Sequence, residues 1–322
     1  MRHLEKAPLV DVTTVGEALV ALTPEHTGAL RDVRTFVKDV GGAELNVAVA
    51  LARLGHRSRW TGLLGEDELA EEVMTVLRGE GVVADAVVRR AEAFTGLYLK
   101  ERSPAGLLRV AYYRRGSAGT LLDPSGLDLR RVTAGGVVHL TGITAALQPY
   151  GLELVSAVMK QARVAGRIVC FDANIRSALL GGRDVVELFA PLLPEADIVV
   201  CSEEEAGVLF GGADDSRLVS AFDSLPAHQL VVHGGWGSLV VDDGGVTRLR
   251  STSVAVVDPV GAGDAFVAGY LSGLLRGWSP SDRLALANVS GACAVSVLGD
   301  VASMPYERDV LTMVGRAEHV ER

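Results

Sequence analysis

Apolar runs of strand length alternate with helical patterns through most of this chain. The runs richest in valine and isoleucine are VVHLTGI (137–143), RIVCFDAN (167–174), ADIVVCS (196–202) and HQLVVHG (228–234). Helical patterns lie between or before them, near 150–165, 183–193, 203–210 and 214–224. Strands that are apolar on both faces and joined by helices form parallel sheets with helices on each side. The sequence therefore predicts an α/β fold with a doubly wound, mostly parallel sheet flanked by helices.

Two segments depart from this alternation. Residues 94–118 alternate apolar and polar side chains around a Pro-Ala-Gly turn, which indicates an antiparallel hairpin. Residues 17–38 show a similar pattern with a turn-rich centre. Two β excursions from one sheet predict a small lid over the carboxyl ends of its strands, where such folds bind ligands. We expect residues 1–322 to form a single domain that carries this lid.

Charge and composition narrow the class of partner. The chain has 322 residues and a formal net charge of −9, so it offers no basic surface for nucleic acid or an anionic membrane. Its amino terminus lacks the apolar segment of a signal peptide, and no run of about 18 uncharged apolar residues occurs. The 3 cysteines show no paired spacing, which is typical of a reducing compartment. We expect a soluble, cytoplasmic protein with a small-molecule partner.

Several common phosphate-binding and hydrolytic motifs are missing. A Walker A loop needs Gly-Lys followed by Ser or Thr, and none of the lysines has these neighbours: Lys6, Lys38, Lys100 and Lys160. No glycine pair continues into the third glycine of a dinucleotide-binding loop. The serine nucleophile motif G-x-S-x-G and the zinc motif H-E-x-x-H are also missing.

One glycine loop does indicate phosphate chemistry. The stretch DPVGAGD (258–264) stands directly before a helical pattern. Gly261, Ala262 and Gly263 can turn successive N–H groups toward an anion at the positive end of the helix. Asp264 would repel that anion, so its place at the rim suits a base that takes a proton from an alcohol attacking the phosphate. On these residues alone, a helix N-cap after a glycine turn is the alternative reading of Asp264.

Together with a second motif, this loop resembles the PfkB (ribokinase-like) family of carbohydrate kinases. The stretch GGAELNVA (41–48) resembles the first signature of that family, and residues 258–264 resemble the second. The order of the motifs, their separation and the elements between them also match, so the resemblance covers essentially the whole chain. It implies the ribokinase-like fold, ATP as the phosphoryl donor and Mg²⁺ as a cofactor.

The resemblance also assigns roles to individual residues. It makes Asp264 the catalytic base, and it makes the amides of Gly261, Ala262 and Gly263 an anion hole for the transferring phosphoryl group. Gly42 and Asn46 are implied to contact sugar hydroxyls.

The implied metal and nucleotide sites match the family less completely. Glu205, in Ser202-Glu203-Glu204-Glu205, occupies the place of an acid near magnesium, directly or through water, although serine replaces the usual asparagine at 202. For the nucleotide, the resemblance implies Gly234, Gly237, Asn288 and Gly299. The lysine often found before the glycine turn is missing, and His233 stands there instead. Some members of the family bind a monovalent cation near the position of Gly299, so such a cation is allowed for here.

The lid residues indicate which sugar is bound. Tyr112 and Arg114 lie two apart in a predicted strand and therefore share a face. Tyrosine hydroxyls with a converging arginine suit a carboxylate, which arginine binds through paired, charge-assisted hydrogen bonds. This pattern resembles the branch of the family that phosphorylates 2-dehydro-3-deoxy-D-gluconate, and it implies that Tyr98, Tyr112, Arg114 and Arg176 bind the substrate. Tyr113 and Arg115 fall on the outer face.

Two alternative functions stay open in the sequence. A related kinase would act on a neutral sugar or a nucleoside, such as fructose or ribose. A non-catalytic sensor of sugar acids or nucleotides would bind without turnover, although Asp264 would then gain nothing from its place beside a phosphate. We also expect a homo-oligomer formed through the lid, because an exposed β edge readily pairs with a second copy.

Overall fold

The computed structural model of this chain describes residues 10–102 and 108–316. Its strands are β1 (Val10–Val15), β2 (Leu19–Pro24), β3 (Phe36–Gly41), β4 (Ser58–Thr61), β5 (Leu63–Gly65), β6 (Val88–Arg90), β7 (Leu97–Arg102), β8 (Leu108–Tyr113), β9 (Gly135–Thr141), β10 (Ile168–Asp172), β11 (Ile198–Ser202), β12 (Gln229–Gly234), β13 (Gly237–Asp242) and β14 (Gly245–Arg250). Eight of them form the main sheet, in the order β14-β13-β12-β11-β10-β9-β1-β4.

The main sheet is parallel from β4 to β12. Consecutive residues of its strands alternate between two hydrophobic clusters, so that Val200 faces one cluster and Val199 the other. This double burial requires apolar side chains on both faces, which explains the near-continuous valine and isoleucine runs. The predicted doubly wound sheet is confirmed.

Helices cover both faces of the main sheet. They are α1 (Ala43–Arg53), α2 (Glu68–Gly79), α3 (Leu129–Val132), α4 (Gly142–Ala146), α5 (Gly151–Val164), α6 (Ser177–Leu180), α7 (Val185–Phe189), α8 (Glu203–Phe210), α9 (Asp215–Ser224), α10 (Ala262–Leu275), α11 (Pro280–Val295) and α12 (Glu307–Met313). Side-chain caps fix several starts: Asp67 accepts from the amide of Ala70, and Ser279 accepts from the amide of Asp282. Helices α1, α10 and α11 pack in the first cluster, and α5, α7 and α9 pack in the second.

The antiparallel edge of the main sheet, formed by β13 and β14, was not predicted. Its strands run antiparallel to each other and to β12. They are joined at Asp243-Gly244, a dipeptide that strongly favours a tight hairpin between alternating strands. The signal was therefore present in the sequence.

A second, four-stranded sheet in the order β3-β2-β7-β8 forms the predicted lid and is called the small sheet below. Strands β7 and β8 are the expected hairpin, and its Pro-Ala-Gly turn lies outside the described residues. Strand β3 continues to Gly41, beyond the predicted limit at residue 38, and its Val40 is fully buried. Within the described parts of the chain, no helix is long and apolar enough to cross a membrane.

Candidate active site

A cavity of about 710 Å³ lies between the small sheet and the carboxyl ends of strands in the main sheet. Tyr98 of β7 lines it from the small sheet, and Asp172 at the end of β10 lines it from the main sheet. The residues that the sequence assigned to catalysis, substrate and metal all line this cavity: Gly42, Asn46, Tyr98, Tyr112, Arg114, Arg176, Glu205, Gly261, Ala262, Gly263 and Asp264.

The glycine loop leads into α10, a helix of 14 residues that begins at Ala262. Gly261 has φ +81°, a backbone conformation that favours glycine, and a Cβ there would displace only the flexible end of Met304, 2.8 Å away. The first amides of a helix have no partner within it. At this position they open to the cavity at the positive end of the helix and can bind a phosphoryl group.

Asp264 lies in the first turn of α10 and is only 8% exposed. Burial raises its pKa to about 6, against a hydrogen bond from Asn46 and the nearby charge of Arg176, which lower it. The Nδ2 atom of Asn46 lies 2.8 Å from Oδ2 of Asp264. A carboxylate with a pKa just below neutrality is suited to accept a proton at physiological pH.

Asn46 reaches Asp264 because the chain turns closely at Gly42. The φ of Gly42 is +142°, and a Cβ there would lie 2.2 Å from the carbonyl oxygen of Glu17. Helix α1 begins at the next residue and carries Asn46 on its first turn. The structure therefore joins the two glycine motifs through their polar side chains.

Glu44 is a buried acid in the cavity to which sequence reasoning gave no role. Its Oε1 atom accepts hydrogen bonds from the hydroxyls of Thr141 at 2.6 Å and Thr144 at 2.5 Å. Burial raises its pKa to about 7, and the two threonine hydrogen bonds only partly oppose this shift. The signal in the sequence was an acid among the apolar residues of α1.

Asp172 and Asn174 also line the cavity without an assigned role. Burial raises the pKa of Asp172 well above its usual value, and the charges of Glu205 and Asp264 add to the shift. Asn174 has φ +35° and donates from Nδ2 to Asp172 across 3.2 Å. An uncommon backbone conformation held beside a buried acid is typical of functional sites. The position of Asp172, at the end of a buried strand, was the available signal.

Glu205 lies in the first turn of α8, forms a capping box with Ser202 and lines the same cavity. One of its oxygens accepts from the amide of Ile175 at 2.6 Å, and the other accepts from the amide of Ser202 at 2.8 Å. Ser202 caps the helix in return. In the described part of the chain, no three His, Cys, Asp or Glu side chains converge to hold a metal ion. A carboxylate held in this way suits Mg²⁺ that keeps most of its waters and binds substrate phosphates.

The residues assigned to the nucleotide do not line this cavity: Gly234, Gly237, Asn288 and Gly299. The side-chain amide of Asn288 donates to the carbonyl of Arg250 at 3.1 Å. His233 does line it, 3.9 Å from the position of a Cβ on Gly263. Burial lowers the pKa of His233, and Glu205 opposes this only in part, so the ring is neutral at physiological pH. The nucleotide assignments stay predictions.

Aromatic and charged side chains of the hairpin form the opposite wall. The rings of Tyr98 and Tyr112 lie 5.5 Å apart between centroids, and the guanidinium of Arg114 lies 5.3 Å from the Tyr112 ring. Arg114 forms an ion pair with the buried carboxylate of Glu17, a pairing that was not predicted. Tyr112 is 48% exposed and lines the cavity, whereas Tyr113 is 60% exposed and does not line it.

A doubly wound fold with a β lid, a glycine loop at a helix start and a buried acid beside it is the arrangement expected of a sugar kinase. The sequence pattern described as "pfkB family carbohydrate kinase" matches residues 10–307. The chain belongs to this family and is a phosphotransferase with an alcohol acceptor.

Relatives within the family include enzymes named for different sugars. The chain is 33% identical to the 2-dehydro-3-deoxygluconokinase of Bacillus subtilis, over 97% of this chain and 98% of the relative. It is also 33% identical to the enzyme of that name from Thermoproteus tenax, over 94% and 93% of the two chains. A probable chloroplastic fructokinase-6 of Arabidopsis thaliana is 33% identical over 93% of this chain and 81% of its own.

Solved structures show the same architecture. A PfkB protein from Polaromonas has a TM-score of 0.83 and 31% identity, covering 91% of this chain and 98% of its own. A fructokinase from Xylella fastidiosa with bound ATP has a TM-score of 0.84 and 27% identity, covering 95% and 98%. These neighbours support the ribokinase-like fold.

Proposed function

We propose that this protein transfers the γ-phosphoryl group of ATP to the terminal hydroxyl of 2-dehydro-3-deoxy-D-gluconate, with Mg²⁺ as cofactor. The observation that carries the choice of sugar is the wall formed by Tyr112 and Arg114, across the cavity from Asp264. A guanidinium has five N–H donors and a single carboxylate engages two of them at most. Arg114 therefore keeps donors for a substrate carboxylate while it is paired with Glu17.

The charges of the cavity support a sugar that carries its own negative group at the lid. Three buried acids lie toward the main sheet, at Glu44, Asp172 and Asp264. They outnumber the exposed Arg176 on that side and would repel a carboxylate there. Arg114 belongs to the opposite wall. A sugar acid would therefore bind with its carboxylate toward the hairpin and its terminal hydroxyl toward Asp264.

Transfer then follows from the chain's own groups. Asp264 removes the proton of the terminal hydroxyl, and that oxygen forms a bond to the γ-phosphorus while the bond to the β-phosphate oxygen breaks. ADP leaves with the electron pair of the broken bond. The amides of the glycine loop hold the transferring group. Glu205 would hold Mg²⁺ through water, and the ion would neutralise phosphate charge. Closure of the small sheet excludes water from the reacting phosphate.

A neutral sugar such as fructose is the second candidate, and the Glu17–Arg114 ion pair favours it. The positive charge of Arg114 is already neutralised by the carboxylate of Glu17, so it does not require a substrate carboxylate. A relative named as a probable fructokinase, with the same 33% identity, supports the same candidate.

A kinetic comparison distinguishes these substrates. We expect kcat/KM for 2-dehydro-3-deoxy-D-gluconate to exceed that for fructose and ribose. Arg114→Met should lower kcat/KM for the sugar acid about 10- to 100-fold, the scale of a lost charge-assisted hydrogen bond, and should affect fructose far less. Arg115→Met, on the exposed side of the same hairpin, is the matched control. A higher kcat/KM for fructose would reject the sugar acid as the substrate.

We also propose a homo-oligomer that pairs through the small sheet. Its edge strands are β3 and β8, and an unpaired strand edge can hydrogen-bond to a second copy. Val37 on β3 is 49% exposed and offers apolar contact there. Light scattering of the wild type and of Val37→Glu tests this: a monomeric wild type would exclude it.

A further inference from the structure

Lys100 is a fully buried lysine to which the proposed reaction gives no role. It lies on β7 two residues after Tyr98, so both side chains project from the same face of the small sheet, and both line the cavity. Its Nζ atom lies 3.0 Å from Oδ2 of Asp258 and 2.9 Å from Oδ2 of Asp300. A lysine is almost never fully buried unless it is paired, and this one is paired twice.

The two residues that pair with Lys100 adjoin the glycine loop, Asp258 through its carboxylate and Asp300 through its backbone. The Oδ1 atom of Asp258 accepts from the amide of Val260 at 3.1 Å, at the turn that enters the loop. Asp300 accepts from the hydroxyl of Ser303 through its carbonyl, at 2.8 Å. The side chain of the next residue, Met304, packs beside Gly261. The ammonium group of Lys100 therefore contacts a residue on each of the two segments that flank Gly261.

The small sheet contacts this region at a second point. Asp39 of β3 accepts from the amides of Asp300 at 2.8 Å and Ala302 at 3.2 Å. Asp39 also lies against Gly299, where a Cβ would be 2.8 Å from its Oδ2 atom. Lys100 on β7 and Asp39 on β3 thus connect the small sheet to Asp258 and to residues 299–302, which adjoin the glycine loop.

These contacts decide whether a monovalent cation fits near Gly299. The acids there are Asp39, Asp258 and Asp300. Asp39 is hydrogen-bonded to backbone amides, and the other two share the ammonium group of Lys100. Burial lowers the pKa of Lys100, but the charges of Asp300 and Asp258 outweigh burial and raise it, so the group stays charged. The residues present do not fit an additional cation.

We propose that Lys100 is a positioning residue whose ammonium group takes the place of a monovalent cation beside the glycine loop, so that turnover needs no such ion. This inference rests on the proposed kinase function and not on the identity of the sugar. Without the ammonium group, two buried carboxylates would face each other and the loop would move. A displacement of about 1 Å at such a loop can reduce turnover about 10²-fold.

The test measures kcat and KM in salts of equal ionic strength, with whichever sugar the wild type phosphorylates. Wild-type kcat should change less than about twofold when potassium chloride is replaced by tetramethylammonium chloride, whose ion is too large for the site. Lys100→Ala should lower kcat about 10²-fold with little change in the KM of the sugar. Ammonium or methylammonium chloride should restore kcat of this variant by at least about tenfold, and tetramethylammonium chloride should not.

The control is Lys38→Ala, which removes an exposed lysine of the same small sheet that pairs with Glu72. It should behave as the wild type in every salt. Strong activation of the wild type by potassium would overturn the proposal, and this measurement needs no variant to fold. A Lys100→Ala enzyme with full turnover, or one that is folded but not rescued by ammonium, would also overturn it. A change of preferred sugar would refute only the substrate assignment.

Discussion

The side-chain amide of Asn46 donates a 2.8 Å hydrogen bond to the carboxylate of Asp264, 218 residues further along the chain. The bond joins the two glycine motifs at the floor of the cavity. It also favours the charged form of the acid, because it is made to the carboxylate. Asn46 therefore helps to set the pKa of Asp264, the proposed base.

The pH dependence of the wild type follows from this arrangement. Burial raises the pKa of Asp264 to about 6, and a base acts only when deprotonated. We expect kcat/KM to rise with pH up to about 6 and to level off above it. A kcat/KM that stays constant between pH 5 and 7 would contradict the assignment of the base.

Replacing Asn46 should shift the pH range over which kcat/KM rises, called the acid limb of the profile. Asn46→Leu keeps a similar volume but removes the hydrogen bond that lowers the pKa of Asp264, so the limb should move to higher pH by about one unit. The pH profile of kcat/KM, measured beside the wild type, checks it. An unchanged limb, or one moved to lower pH, would show that the bond does not control this pKa.

The fold of this chain was predictable where strong signals are local. The valine-rich strands, the loop 258–264 and the start of α1 each carry their pattern within a few residues. The pairs Lys100–Asp258 and Glu17–Arg114 join separate segments and give no local signal. Only the three-dimensional packing of the small sheet against the loop shows that these charges are buried together. For the same reason, the burial that raises the pKa of Glu44 could not be inferred from α1 alone.

Glu44 should make stability depend on pH. Its pKa is about 7 in the folded protein and 4.5 as its ordinary value, so the folded state binds an extra proton between these limits and loses stability as pH rises through them. Glu44→Gln removes this loss. The free energy of unfolding of the variant minus that of the wild type should therefore be about 3 kcal/mol larger at pH 8 than at pH 4. Denaturant unfolding at both pH values measures this, and a pH-independent difference would contradict it.

The Glu17–Arg114 ion pair should show strong coupling in stability. Arg114→Met leaves the buried carboxylate of Glu17 without its partner, which typically destabilises a protein by about 3–5 kcal/mol. Adding Glu17→Gln to that variant should recover most of the loss, because no uncompensated charge remains. Urea unfolding of the two single variants and the double variant forms the cycle. Additive effects would mean that the pair is not coupled.

The central claim is that Asp264 is the base of phosphoryl transfer, and Asp264→Asn tests it most directly. The variant keeps the shape of the side chain and relieves a buried charge, so it should be at least as stable as the wild type near neutral pH. Calorimetry should show ATP and sugar binding close to wild type, and kcat should fall by about 10²-fold or more. Unchanged turnover in a folded, substrate-binding Asp264→Asn enzyme would contradict the account.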